Sequence, residues 1–396
     1  MEEKMLEGIR ILDLTRVMAG PFCTAMLADV GAEVIKIEVP GRGDDSRFLG
    51  HMEQGISTYF LMLNRGKKSL TLNLKSNEGI DILKSLIAEC DVLIENFRPG
   101  VMAKFGLSYA DVKAINAKII YASISGFGQE SPLVDKPAYD LIIQAMSGLM
   151  SVAGSPDGSP TAVGESVADI CSGIYTAWGI MVGLHHRDKT GEGCQIDAAM
   201  FDSLYSMSIT GLSQFFYGGT TPQRVGNRHP ATYPVDSFET SDGYVTMVVA
   251  TEKVFAGLMA GIGQPELSDD PKFADNKSRN KHERQLKGII EDWTRRYTSD
   301  EVVEKLTEHR VPVGPLWDLK QVAESEHIAT RGMTVMETHP ILGDMPLVPQ
   351  PLQFSGQNSR ISGPPPELGE HSESVLMDIL GYDAAAIEEL KFKNVI

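Results

Sequence analysis

A parallel α/β fold is the expectation for this chain, and three consecutive stretches carry it. RILDL is a short apolar run of strand length, PFCTAMLADVG has helical length and composition, and AEVIKIE is a second strand-like run. Together they read as a βαβ unit. Pro21 suits a first helical turn, where its missing N–H would have been unpaired anyway, and Gly31 suits the helix end. The alternation then recurs. SNEGIDILKSLIAEC has apolar residues at helical spacing and leads into the strand DVLIENF, and the helix around SYADVKAIN leads into the strand KIIYASISG. Strands alternating with helices in this way build a parallel sheet with helices on its faces.

Further along, SGIYTAWGIMVGLHHRD is an almost wholly apolar helical run, expected in a core or at a subunit contact, and it ends in the turn TGEG before the strand CQIDAAM. Past residue 215 the texture changes: YGGTTPQRVGNRHPATYP is rich in Gly, Pro and Thr, as in a connection or active-site loop. A second domain is expected there, with the strand GYVTMVVA, a helix from near Thr251, the amphipathic segment KGIIEDWTRRY and a helix from Glu301, for which Thr298 and Glu301 have capping-box spacing. The expected division is a large domain over 1–215, a small α/β domain over 216–320 and a return segment over 321–396. No internal repeat is visible.

The 396 residues, 42% hydrophobic and 22% charged, are globular in composition and suit two domains. No uninterrupted apolar stretch approaches the roughly 20 residues that span a bilayer. The acidic start, MEEKMLEGIRILDL, is unlike a signal peptide, so a cytoplasmic protein with no membrane partner is expected. A formal net charge of −17 argues against nucleic acid as a partner. Cys23, Cys90, Cys171 and Cys194 form no CxxC pair, and the adjacent His185 and His186 point in different directions on a helix, so neither a disulfide framework nor a metal is expected. The GxGxxG, GxxxxGK[ST] and GxSxG patterns are all absent, which removes the usual signals of nicotinamide, nucleotide-hydrolysing and α/β-hydrolase chemistry. Local cationic clusters do occur, at Arg65, Lys67, Lys68 and Lys75 and at Arg98 and Lys104; taken singly, such charges read as solvated surface.

Several long motifs, in order, carry a resemblance: GPFCTAMLADVGAEVIKIEVPGRGDDSR, NRGKKSLTLNLK, DVLIENFRPGVMAKFGL, AYDLIIQAMSG, ESVADICSG, HRDKTGEGCQID and LGEHSESVL. Over nearly its whole length the chain resembles the class III CoA-transferases, of the formyl-CoA and carnitine CoA-transferase type, and the related α-methylacyl-CoA racemases. The resemblance implies a Rossmann-like large domain built from both ends of the chain, a smaller inserted domain, and an interlocked homodimer. It also implies an enzyme that takes an acyl-CoA donor and a carboxylic acid acceptor, with coenzyme A as cosubstrate and no metal.

Moving CoA between acids needs a carboxylate that attacks a thioester, forms a mixed anhydride and then carries CoA as a thioester. The family's nucleophilic aspartate matches Asp169 in VADICSG; on residue type alone, an Asp ahead of a long apolar helix reads as an N-cap. Tyr139 and Asp140 in KPAYD match positions beside the reacting thioester, although Tyr139 could be an ordinary aromatic at a turn and Asp140 a helix cap. The racemases carry histidine where Tyr139 stands, and a phenol of ordinary pKa near 10 exchanges an α-proton poorly, so the position favours transfer. Leu72, Lys75, Asn96, Phe97, Arg98 and Lys104 match stretches that lie against the CoA nucleotide. Gly218 and Gly219 stand where formyl-CoA transferase has a longer glycine loop. Met18 replaces a substrate-contacting glutamine, and because a thioether gives no hydrogen-bond donor, formate and oxalate are disfavoured as substrates. The rivals are a racemase-like epimerase and a CoA-binding module without catalysis.

Overall fold

The computed structural model describes residues 4–356 and 360–396. The chain divides into two compact units: Met1–Leu149, Val163–Thr210 and Glu326–Ile396 form the larger, Met150–Ala162 and Gly211–Ser325 the smaller. The borders fall a few residues from the positions expected at 215 and 320, and the segment 150–162, assigned from sequence to the large domain, joins the small unit. The Arg224 guanidinium holds it there, donating to the carbonyls of Ser155 at 3.3 Å and Gly158 at 3.0 Å.

In the large unit, β1 (Arg10–Asp13), β2 (Glu33–Glu38), β3 (Lys67–Thr71), β4 (Val92–Glu95), β5 (Ile120–Ser125) and β6 (Cys194–Ala199) form one six-stranded sheet in the order β3-β2-β1-β4-β5-β6. All five pairings are parallel. The chain builds outward from β1 in one direction and restarts beside it at β4, so a crevice opens at the carboxyl ends of these two strands, where ligands of open α/β sheets bind. The strands are apolar on both faces, as a sheet covered by helices on each side requires. One face packs Ile11, Val34 and Ile94 under α1 (Ala19–Asp29) and the long α6 (Val167–Thr190). The other packs Leu12, Ile35 and Leu93 against α3 (Asn77–Ala88) and α4 (Tyr109–Ile115).

The expected strands and helices of the large unit are present, but one strand of its sheet is not among them. β3 begins inside NRGKKS, whose charges the sequence suggests are solvated. Lys67 and Arg65 are buried instead, Lys67 against Asp13 at 3.1 Å and Arg65 against Asp29 at 2.7 Å, while Lys68 pairs with Glu33 at 2.6 Å. Helix α6 corrects a second expectation: at 24 residues, with a mean hydropathy of 1.4 in its most apolar window, it is long and apolar enough to cross a bilayer, but half of that window is buried within the protein. Charged and small polar residues interrupt the run in the sequence without breaking its helical continuity.

In the small unit, β7 (Val235–Glu239), β8 (Tyr244–Val248) and β9 (Val313–Pro315) form an antiparallel sheet in the order β9-β8-β7. Helices α7 (Glu252–Gly261), α8 (Glu283–Thr294) and α9 (Ser299–Glu308) place Phe255, Leu258, Leu286, Ile290, Val302 and Leu306 in a core with Phe238, Val245 and Met247. The capping box of Thr298 and Glu301 is formed, each side chain meeting the other's backbone N–H. The return segment then rejoins the large unit. Its helices α10 (Ser372–Leu380) and α11 (Ala384–Phe392) seat Val375, Leu376, Ile387 and Leu390 in the core beneath α3, and the His371 N–H donates to the Ser69 carbonyl at 2.9 Å.

Candidate active site at the start of the long apolar helix

Asp169 is the third residue of α6 and half-buried. It is not an N-cap: the capping position is Ser166, which makes no side-chain cap bond. The cap comes from α5 (Asp140–Met146), where the Asp140 carboxylate accepts the Ala168 N–H at 2.7 Å and the Gln144 amide at 2.7 Å. Gln144 in turn accepts the Val163 N–H at 2.9 Å and donates to the Glu165 carbonyl at 3.2 Å, fixing the approach to α6. So Asp140 satisfies a helix end, but a different helix from the one it begins, which leaves Asp169 free of that duty.

Close approach of two helix starts sets what Asp169 meets. Gly173 lies one turn after it, and a Cβ there would stand 2.7 Å from the Ala19 carbonyl oxygen, so only glycine lets α6 come this near to the start of α1. The Ala19 backbone N–H then faces the Asp169 carboxylate. Burial and the negative charge of Asp140 push the Asp169 carboxyl up to about 7, and the Ala19 N–H opposes them only in part. Tyr59, on α2 (Thr58–Asn64), belongs to the same neighbourhood: burial and the charges of Asp169, Asp44, Glu165 and Asp140 push its phenol up to about 12.

The other candidates separate into groups. Tyr139 precedes α5 with its side chain 76% exposed. Met18, 8% exposed, closes the turn directly before Ala19. Lys75 and Lys104 line one open cavity of about 690 Å³ with Asn77, Asp81 and Lys84 of α3; the sequence reading of that helix rests on its apolar face and does not single out Lys84. Arg98 lines a separate cavity of about 130 Å³ with Glu95, Tyr121 and Gln129, in which burial outweighs hydrogen bonds from Ser123 and Phe97 and pushes Glu95 up to about 7. Leu72 is buried in the core and can offer a ligand only its backbone. The Asn96 amide is spent on the β1–α1 turn, accepting the Arg16 N–H and donating to the Arg16 carbonyl, both at 2.8 Å. Phe97 lies under the Arg16 guanidinium, 5.1 Å from ring centre to carbon. In the small unit, Gly218 ends a helix and Gly219 adopts φ +64°, a conformation that favours glycine.

A half-buried carboxyl facing a helix start, and three lysines around one open cavity, agree with what comparison shows. A family model described as CoA-transferase family III matches residues 6–372. The chain belongs to that family. It is 38% identical to the succinyl-CoA:glutarate CoA-transferase of Mus musculus, over 99% of this chain and 90% of that protein. It is also 38% identical to the acetyl-CoA:oxalate CoA-transferase of Acetobacter aceti, over 96% of each. Among solved structures, a CaiB/BaiF family protein from Brucella suis superposes with a TM-score of 0.86 at 34% identity, covering 95% of this chain and 99% of that one. The transferase is therefore an enzyme of CoA transfer between organic acids, with acyl-CoA as cosubstrate.

Proposed function

We propose that the transferase moves CoA between short organic acids through covalent intermediates on Asp169. The observation that carries this is the Asp169 carboxyl held near 7 beside the Ala19 N–H. At neutral pH about half of such a group is ionised, and its raised basicity makes it a better nucleophile than an ordinary carboxylate. A carboxylate oxygen of Asp169 attacks the thioester carbon of the donor; the C–O bond forms, the C–S bond breaks, and CoA thiolate leaves a mixed anhydride. The thiolate then attacks the side-chain carbonyl of Asp169, forming an aspartyl thioester and releasing the donor acid. The acceptor carboxylate attacks that thioester, and the returning thiolate takes the new acyl group, which restores Asp169. Each tetrahedral intermediate at the Asp169 carbonyl places an oxyanion where the Ala19 N–H can donate.

Lys75, Lys84 and Lys104 around their common cavity support a seat for the CoA phosphates. Tyr139, in place of an imidazole, supports transfer over epimerisation. The buried thioether of Met18, one residue before Ala19, supports acids larger than formate or oxalate, and the name of the mouse relative supports dicarboxylates such as succinate. The β3-β2-β1-β4-β5-β6 order supports the Rossmann-like description of the large unit. A homodimer, interlocked as the resemblance implies, is supported by α6, which exposes Ile174, Tyr175, Trp178, Met181 and Val182 along one stripe. A monomer in sedimentation at micromolar concentration would remove that part of the reading. Four free thiols support a cytoplasmic enzyme.

The mechanism is tested by incubating the enzyme with succinyl-CoA and other acyl-CoA donors, then hydroxylamine, and mapping the adduct by mass spectrometry. A hydroxamate on Asp169 is expected. No adduct with any donor, while deuterium enters the α-position from solvent, would overturn transfer in favour of epimerisation.

A further inference from the structure

The backbone that aims the Ala19 N–H lies in the turn between β1 and α1, and it is held from outside at three successive residues. The Thr15 carbonyl accepts from the Lys36 ammonium at 2.8 Å. Arg16 is held at both backbone groups by Asn96. The Val17 N–H donates to Asp44 Oδ1 at 3.0 Å, and the other oxygen of Asp44 pairs with Lys36 at 2.7 Å. Lys36 and Asp44 are 0% and 2% exposed. Between these anchors Val17 adopts φ +65°, which a β-branched residue resists and which persists only where its surroundings over-determine it. A buried ion pair is weak evidence for stability, because desolvation offsets much of its attraction. Its presence beside a strained turn at the reacting carboxyl calls for another reason.

We propose that the Lys36–Asp44 pair is a positioning device: it clamps Thr15–Val17 in the strained turn and so keeps the Ala19 N–H directed at Asp169. The proposal rests on Asp169 being the nucleophile. Asp44 is suited to the task because its own N–H donates to Glu38 at 2.8 Å and its Oδ1 also accepts the Ser46 N–H at 2.8 Å, which leaves the carboxylate little freedom to turn. Asp44 touches no reacting atom and acts through Val17 and Ala19.

The test compares Asp44→Ala with Asp44→Asn in steady-state transfer and in the rate of Asp169 hydroxamate capture. Asparagine can still accept the Val17 N–H; alanine cannot. The expected result is that Asp44→Ala lowers kcat by about tenfold to a hundredfold, with KM for acyl-CoA within about twofold, while Asp44→Asn, which keeps an acceptor for Val17 but turns an amide N–H towards Lys36 in place of the carboxylate, falls between alanine and the parent. The pH profile supplies a readout that simple loosening would not move. Asp140 and Tyr59 face Asp169 and are unchanged in both variants. Losing the Ala19 hydrogen bond raises the Asp169 pKa, so the acid limb of kcat/KM moves to higher pH; loss of the negative charge of Asp44 alone would move it lower. If Asp44→Ala does not fold, the same change is made in a Val17→Gly background, in which the turn carries no steric strain. An Asp44→Ala enzyme with kcat within about threefold of the parent, or with an acid limb that stays in place or falls, overturns the clamp. Absence of any hydroxamate on the parent enzyme overturns the nucleophile itself and is seen before any variant is made.

Discussion

Replacing Asp169 with asparagine is expected to lower CoA transfer by about 10⁴-fold or more and, at the same time, to stabilise the fold at pH 8. The first effect follows from removing the group proposed to form both covalent intermediates. The second follows from its environment. An unfolded aspartate loses its proton near 3.9, whereas burial and Asp140 hold this one to about 7 in the folded protein. The folded chain therefore keeps a proton that the unfolded chain has released, and stability falls as pH rises from about 4 to about 7, where the loss is complete. Three pKa units correspond to about 4 kcal/mol, and partial exposure reduces this to about 2 kcal/mol. Urea unfolding should show that gain for Asp169→Asn at pH 8 and its steady decline towards pH 4. An unchanged midpoint at pH 8 would mean that the carboxyl is not strained by its surroundings.

The largest loss of stability is expected from Lys67→Met. Its ammonium meets Asp13 at 3.1 Å, the Pro21 carbonyl at 3.0 Å and Asn64 Oδ1 at 2.9 Å, all away from water. Burial alone would raise the Asp13 carboxyl, but the charges of Lys67 and Lys36 and hydrogen bonds from Thr15 and Thr24 hold it well below the usual range. Removing Lys67 strands that charge, with an expected cost of about 3–5 kcal/mol in urea unfolding. Adding Asp13→Asn, which removes the stranded charge while its one amide oxygen still accepts from Thr15, should restore at least about half of it. A loss below about 1 kcal/mol for the single variant would show that water reaches Asp13.

The same residues explain how much could be read from the sequence. Strands such as RILDL and KIIYASISG are apolar enough to be recognised alone, and the expected order of helices and strands follows them. β3 is hidden in the sequence because Lys67 meets the buried Asp13 of β1, two strands away, and Lys68 meets Glu33 of β2, partnerships that only three-dimensional pairing brings about. Asp169 is singled out by the motif around it, while its freedom from capping depends on Asp140, which meets the Ala168 N–H only across the fold. The strained turn at Val17 leaves no mark at all, since valine is among the last residues that composition would place at positive φ. Lys36 and Asp44 were likewise inside a recognised motif without any indication that they meet.

The return of the C-terminus to the large unit has a consequence for synthesis on the ribosome. The small unit is encoded almost entirely by the contiguous stretch Gly211–Ser325, so all of it has emerged while the large unit is still unfinished. Until α10 and α11 emerge, one face of the parallel sheet lacks Val375, Leu376, Ile387 and Leu390. The unit that carries Asp169 is therefore the last to close, and a chain cut short before Ser372 leaves that sheet face open to other apolar surfaces.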